Sequence, residues 1–229
     1  MDPEVLVTAD AVDGHTARRD YAKGELLEGN VSTDPFAQFA LWLDEARSND
    51  NIDEAQAMTV ATIDSRQRPT ARIVLLRGVD DASVGRRGFV FYTNYDSAKG
   101  HAIAHNNAVA LVFYWGPLER SVRIEGHAEK VDTAESDAYF ASRPHKSKLG
   151  AIVSSQSSMI DSRQVLEEEM SVLDDRYAEG ADVPRPTHWG GYRVVPDSVE
   201  FWQGRRSRLH DRLVYTLIDD AWTLTRLAP

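Results

Sequence analysis

The feature that most constrains this chain is a succession of short runs rich in β-branched and aromatic residues, at 58–63, 71–76, 89–93, 109–115, 121–131, 191–195, 199–202, 213–218 and 222–227. Such residues fit a pleated, half-buried surface. Turn formers separate the runs: Asp64-Ser65 through Pro69, the glycines at 85 and 88, and Gly116-Pro117. Helical spacing occurs only as inserts. Asp34-Pro35 reads as an N-cap with proline at the first helical position, and Phe36, Phe39, Ala40 and Leu43 follow, so a helix is predicted to about Arg47. Shorter helices are predicted over 96–106 and 134–142. A longer one is predicted over 162–178, with Leu166, Met170, Leu173 and Tyr177 as its apolar stripe. A doubly wound parallel sheet would need strands alternating with long helices. The pattern instead predicts a mainly β chain with helices (α+β), an antiparallel β-barrel decorated by helices. Residues 1–33 carry no sustained period and are expected as a mobile N-terminal arm, with 34–229 as a single domain.

Composition removes whole classes of chemistry. The chain has no cysteine, which excludes disulfides, thiolate catalysis, thiolate-bound zinc and iron–sulfur clusters. With 26 Lys+Arg against 36 Asp+Glu the net charge is −10, and the acidic balance argues against general nucleic-acid binding. No run approaches the length of a membrane span, and the first 20 residues lack the apolar core of a secretory signal, so a cytoplasmic protein is expected. His101 and His105 stand four apart on a predicted helix but have no third ligand in a recognisable motif, so no metal site is assigned to them.

Four clusters could carry chemistry. Arg72 and Arg77 bound a hydrophobic strand, Ile73-Val74-Leu75-Leu76. They read either as forks for an anion or as strand ends facing solvent, and positions 72 and 77 fall on opposite faces of a regular strand. Tyr92-Thr93 leads through Ser97 and Lys99 into a helix start, which is either an anion site or a plain capped helix. Tyr139, Arg143 and Ser147 stand at intervals that could hold a phosphate, or that mark a helix end running into Pro144. The stretch 204–212 packs Arg205, Arg206, Arg208, His210 and Arg212 together directly after Phe201-Trp202-Gln203. In an acidic chain this is a focused field for a small anion, or else a solvated loop.

Taken in order, these segments resemble the pyridoxine/pyridoxamine 5′-phosphate oxidase family. The resemblance runs from about Asp34 to Pro229 and takes in Arg18-Arg19-Asp20-Tyr21. Its most specific pieces are Trp189-Gly190-Gly191-Tyr192-Arg193, Glu200-Phe201-Trp202-Gln203-Gly204, Arg208-Leu209-His210-Asp211-Arg212 and Arg226-Leu227-Ala228-Pro229. It implies a split β-barrel of the FMN-binding type, a homodimer with FMN at the subunit interface. By resemblance, Arg72, Ile73, Val74, Leu75, Leu76, Arg77, Tyr92, Thr93, Lys99, Gln156, Ser157, Trp202 and Arg212 fall at cofactor positions. Arg18, Tyr21, Arg77, Tyr139, Arg143, Ser147, Arg208, Leu209 and His210 fall at positions that hold a phosphorylated pyridine, with Arg208 and His210 flanking the reacting carbon. The implied activity is oxidation of pyridoxamine or pyridoxine 5′-phosphate to pyridoxal 5′-phosphate, with dioxygen reduced to hydrogen peroxide. A phenazine-pathway oxidase and a non-catalytic flavin or pyridoxal phosphate binder are the alternatives. The chain departs from the family pattern at Arg77, where lysine is usual, at Ala98, where a second basic residue often stands, and at Ser121, which replaces a glutamine.

Overall fold

The computed structural model describes residues 20–80 and 87–229. Nine strands form one curled antiparallel sheet: β1 (Ala57–Ile63), β2 (Pro69–Leu75), β3 (Gly78–Asp80), β4 (Gly88–Asn94), β5 (Ala108–Trp115), β6 (Arg120–Lys130), β7 (Trp189–Gln203), β8 (Asp211–Ile218) and β9 (Ala221–Arg226). The order is β2-β1-β5-β6-β7-β4-β3, with β8 and β9 added beside β7. Five helices decorate it: α1 (Pro35–Arg47), α2 (Ala98–His105), α3 (Thr133–Ser142), α4 (His145–Val153) and α5 (Arg163–Arg176). This is the split-barrel architecture that the strand pattern and the resemblance predict. No helix among the described residues is long and apolar enough to cross a membrane.

Strand β7 organises the sheet. One edge pairs with β6 along most of its length. The other edge is shared, with β4 taking positions 189–194 and β8 taking 198–203. Two separate strands, 191–195 and 199–202, are predicted, and here the structure corrects the prediction: 189–203 is one strand. Proline cannot donate to a ladder, but Pro196 sits between the two partner strands, and β7 itself bulges beside it, with Asp197 the extra residue opposite Glu125/Gly126 of β6. The close approach at that bulge requires glycine, because a Cβ on Gly126 would stand 2.1 Å from the Val195 carbonyl oxygen.

Alternation along the strands separates the two faces. Val109, Leu111, Phe113 and Trp115 of β5, and Val199 and Phe201 of β7, point into the core. Helix α1 closes that face, with the Phe39 ring 5.0 Å from both Phe89 and Phe113. Its buried stripe is centred differently from the prediction: Ala40 is exposed, and Trp42 and Ala46 are buried in its place. Asp34 caps the helix, accepting from the Phe36 N–H, as predicted. A second, smaller cluster forms from Phe140, Leu149, Leu173, Val183 and Trp189, and it seats α3, α4 and α5. Helix α4 is absent from the sequence prediction because Lys146, Ser147, Lys148 and Gly150 leave it too few apolar positions to show a period. Of the span predicted as an arm, the described part is fastened to the barrel. Leu26 is 4% exposed, its N–H donates to Asp211, and the Arg226 guanidinium donates to the Leu26 carbonyl.

Replacing Gly126 with valine forces side-chain atoms into the β7 backbone. It is expected to lower stability by about 2–3 kcal/mol, read as a reduced urea midpoint at unchanged slope. An unchanged midpoint would show that the bulge is not held as described.

Candidate active site

A cavity of about 940 Å³ opens where β2, the end of β4, the start of α2 and helix α4 meet. Strand β2 stops at Leu75. Leu76 N–H then donates to Gln56 O and Arg77 N–H to Val90 O, so the chain passes from pairing with β1 to pairing with β4. This bend resolves the facing problem, since Arg72 and Arg77 line the same cavity although a regular strand would part them. Thr93 stands one residue before the end of β4, and Ser97 caps α2 by accepting from the Gly100 N–H, which delivers Lys99 to the cavity. Helical spacing on α4 presents Ser147, Gly150 and Ala151 to the same space.

Among the described residues the lining holds four cations, Arg72, Arg77, Lys99 and Arg143, and no carboxylate. Lys99 is only 8% exposed. Its Nζ donates to Thr93 Oγ1 (2.9 Å) and Gln156 Oε1 (2.7 Å), both neutral. Burial, with the Arg72 charge adding to it, brings the Lys99 pKa down to about 8. Arg72 spends its guanidinium on Val60 O, Thr62 Oγ1 and Thr70 Oγ1, and burial lowers its pKa also. At the other end, Tyr92 and Tyr139 stack with centroids 3.7 Å apart, and Trp189 continues the stack 5.6 Å from Tyr92. Arg143 lies over Trp189 at 4.6 Å, and its buried Nη1 has no hydrogen-bond partner among the described residues. Burial lowers the Arg143 pKa, Tyr139 works against that, and the Arg77 charge adds to it. Two cationic pairs thus face one cavity in a chain of net charge −10. Lys99 is buried, Arg72 and Arg143 are half-buried and Arg77 is exposed; like charge withdrawn from water without a counter-ion is costly unless an anion completes it.

Of the residues singled out from sequence, Arg72, Ile73, Val74, Leu75, Arg77, Tyr92, Thr93, Lys99, Gln156 and Ser157 line this cavity together with Tyr139, Arg143 and Ser147. Leu76 does not, because its side chain is buried in the core. Trp202, Arg208, Leu209, His210 and Arg212 are not in the lining either. They gather at the far end of β7. There the His210 ring lies 4.7 Å from Trp202 and 5.6 Å from Tyr21, and Arg212 donates to Glu200 (2.7 Å). The Arg205 N–H donates to His210 Nδ1 at 3.0 Å, which assigns the ring proton to Nε2. Arg208 is exposed and left-handed (φ 62°), and Leu209 is 70% exposed. Trp189 lines the cavity, so roughly 40 Å of extended strand separates it from Trp202 within one chain. Arg18 lies outside the described residues. Sequence reasoning gave no role to Trp189, whose only signal was its place before Gly190-Gly191, or to Asn94, whose amide donates to Ser154 O and holds the loop carrying Gln156.

The unpaired lysine sets a pH dependence. Between pH 7 and 10 a phosphate monoester is already dianionic. Its affinity for the cavity, measured by calorimetry, is expected to fall as pH rises through 8 and Lys99 loses its charge. Without ligand the sign reverses. A lysine depressed from its ordinary 10.5 to about 8 sheds its burial penalty over that interval, so stability rises with pH there. K99M should flatten both trends, and a wild-type affinity independent of pH would contradict the assignment.

Comparison with known proteins agrees with this geometry. Residues 45–174 match the family model described as pyridoxamine 5′-phosphate oxidase. Residues 189–229 match that of the pyridoxine 5′-phosphate oxidase C-terminal dimerisation region. The chain is 53% identical to the pyridoxine/pyridoxamine 5′-phosphate oxidase of Gloeothece citriformis over 93% of its length and 96% of the relative's. It is 53% identical to that of Burkholderia cenocepacia, over 93% and 97%. Among solved structures, PhzG from Burkholderia lata in complex with tetrahydrophenazine-1-carboxylic acid superposes with TM-score 0.82 at 26% identity, covering 91% of this chain and 100% of that one. A pyridoxamine 5′-phosphate oxidase-related, FMN binding protein from Nostoc punctiforme shares the fold, with TM-score 0.66 at 16% identity over 84% and 96%. The chain belongs to the pyridoxine/pyridoxamine 5′-phosphate oxidase family.

Proposed function

We propose that this chain is an FMN-dependent oxidase that converts pyridoxamine 5′-phosphate, with water consumed and ammonia released, and pyridoxine 5′-phosphate to pyridoxal 5′-phosphate while dioxygen becomes hydrogen peroxide. The observation that carries the reading is the pairing of unmatched cations in one cavity: Arg72 with Lys99, and Arg77 with Arg143. Two cationic pairs suit two phosphate monoesters, one on the cofactor and one on the substrate. Lys99, buried among neutral acceptors beside Thr93, Gln156 and Ser157, fits the first. Arg143, with its unsatisfied Nη1, and Arg77, Ser147 and the Tyr139 ring fit the second. The chemistry that FMN supplies when bound is two-electron acceptance, for which a chain without cysteine offers no side chain of its own.

The remaining residues orient and enclose. With its proton on Nε2, the His210 ring offers a donor to substrate, and the exposed Arg208 guanidinium offers a fixed positive charge. Because these two stand at the opposite end of β7 from the cavity, a second copy of the chain is the source that completes the site. The match of 189–229 to a dimerisation region supports that arrangement. The solvent-facing side of the sheet, where Tyr114, Ser121, Arg123 and Trp202 lie, is the surface proposed for it.

A related oxidase acting on a phenazine precursor is the second reading, favoured by the superposition on PhzG. The doubled cationic pair favours a phosphorylated substrate over a carboxylate. Under anaerobic conditions, pyridoxamine 5′-phosphate is expected to bleach the visible band of the FMN-loaded protein, and air to restore it. A band that stays oxidised with this substrate and bleaches with a phenazine precursor would reverse the ranking. Arg143→Ala is expected to raise KM for pyridoxamine 5′-phosphate at least about tenfold with kcat little changed, because the phosphate is held alike in ground and transition states. An unchanged KM would remove Arg143 from the phosphate site.

A further inference from the structure

Glu119 occupies a position that a glycine would fill more easily. It follows the turn at 116–118 with φ 57° and ψ 39°, and it is 2% exposed. A left-handed residue with a side chain persists where its surroundings over-determine it. Here they do so on two sides. The Glu119 carbonyl accepts from the Gly204 N–H (2.8 Å) and from Gln203 Nε2 (3.2 Å), which fastens it to the end of β7. Its carboxylate Oε2 accepts from the N–H groups of both Ala22 (2.8 Å) and Lys23 (3.0 Å), while Lys23 Nζ donates to Pro117 O. One residue therefore joins the N-terminal segment to the strand end that leads into His210.

What that join positions is Tyr21. Its ring stands edge-on to Trp202 at 5.7 Å and to His210 at 5.6 Å. It passes so close over Gly204 that a Cβ there would lie 2.8 Å from the ring. We infer that Glu119 is a positioning residue: by gripping the two N–H groups next in sequence, its carboxylate seats the Tyr21 ring against His210 and fixes the wall that His210 presents to substrate. The kinetic part of this inference rests on the proposed oxidase reading, and the structural part does not.

The test reads the His210 ring directly. In protein labelled with ¹⁵N- and ¹³C-histidine, the His210 resonance, identified by its loss in His210→Asn, carries the ring-current shifts of Tyr21 and Trp202. Glu119→Ala and Tyr21→Ala are each expected to move it in the same direction. Glu119→Gln, which keeps an oxygen acceptor at the same reach, is expected to leave it in place. In turnover, each alanine variant should lower kcat/KM about tenfold, and the double variant should be no worse than about the larger single effect, since both act through one ring. A His210 resonance unmoved in Glu119→Ala, or single effects that multiply to about a hundredfold, would overturn the inference. If thermal unfolding shows Glu119→Ala to be globally destabilised, Ala22→Pro carries the same test, because it removes one donor from the segment and leaves the barrel intact. A wild-type protein inactive on pyridoxamine 5′-phosphate would defeat the oxidase reading, while the resonance still decides the role of Glu119.

Discussion

The continuity of β7 through Pro196 is the constraint on which the rest of this structure depends. A proline in a central strand removes one ladder donor, and the strand survives it because two different partners share that edge, β4 before the proline and β8 after it. The extra residue Asp197, opposite Glu125/Gly126 of β6, absorbs the misfit on the opposite edge. Because the strand does not break, its start and its end belong to one rigid element. Trp189 at the start carries Arg143 over its ring, and Gln203 at the end leads into the loop that bears His210. The same strand that holds the two clusters also holds them apart.

That separation gives the electrostatics its meaning. The chain is strongly acidic, yet the described lining of this cavity gathers four cations without a carboxylate. Where the barrel needs ion pairs for structure it makes them, as in Arg193 with Asp80 and Glu135, or Arg212 with Glu200. In the cavity, Arg72 and Lys99 donate to neutral acceptors instead. Unpaired charge in a partly desolvated site is a cost to folding that a bound dianion offsets, and this is the arrangement expected of a site built for binding rather than for stability.

Much of this was legible in the sequence, for local reasons. Apart from β7, the strand runs, the Asp34-Pro35 cap and the stripe of α5 depend on neighbours in the chain, and they appear where predicted. The cavity residues were legible one by one, since Thr93, Lys99 and Arg143 each sit at a strand end or a helix end. What could not be read was long-range. The bend after Leu75 that turns Arg72 and Arg77 to one side depends on pairing with β1 and β4. The unbroken course of β7 depends on a glycine seventy residues earlier, at position 126. The division of the candidate residues into two distant groups follows from strand length and sheet order, which no local pattern encodes. Departures at Arg77 and Ser121 show the same division: Arg77 lines the cationic cavity, and Ser121 lies on the outer sheet face beside Trp202.

We propose that this cavity is an anion trap whose cations recognise phosphate. The most direct measurement compares FMN with riboflavin, which has the same ring system without the phosphate, by quenching of flavin fluorescence on titration with the protein. The account predicts that FMN binds at least about a hundredfold more tightly, as loss of a doubly charge-assisted contact requires. It also predicts that the difference shrinks in the R72M/K99M variant. Equal affinity of the wild-type protein for the two flavins would contradict it.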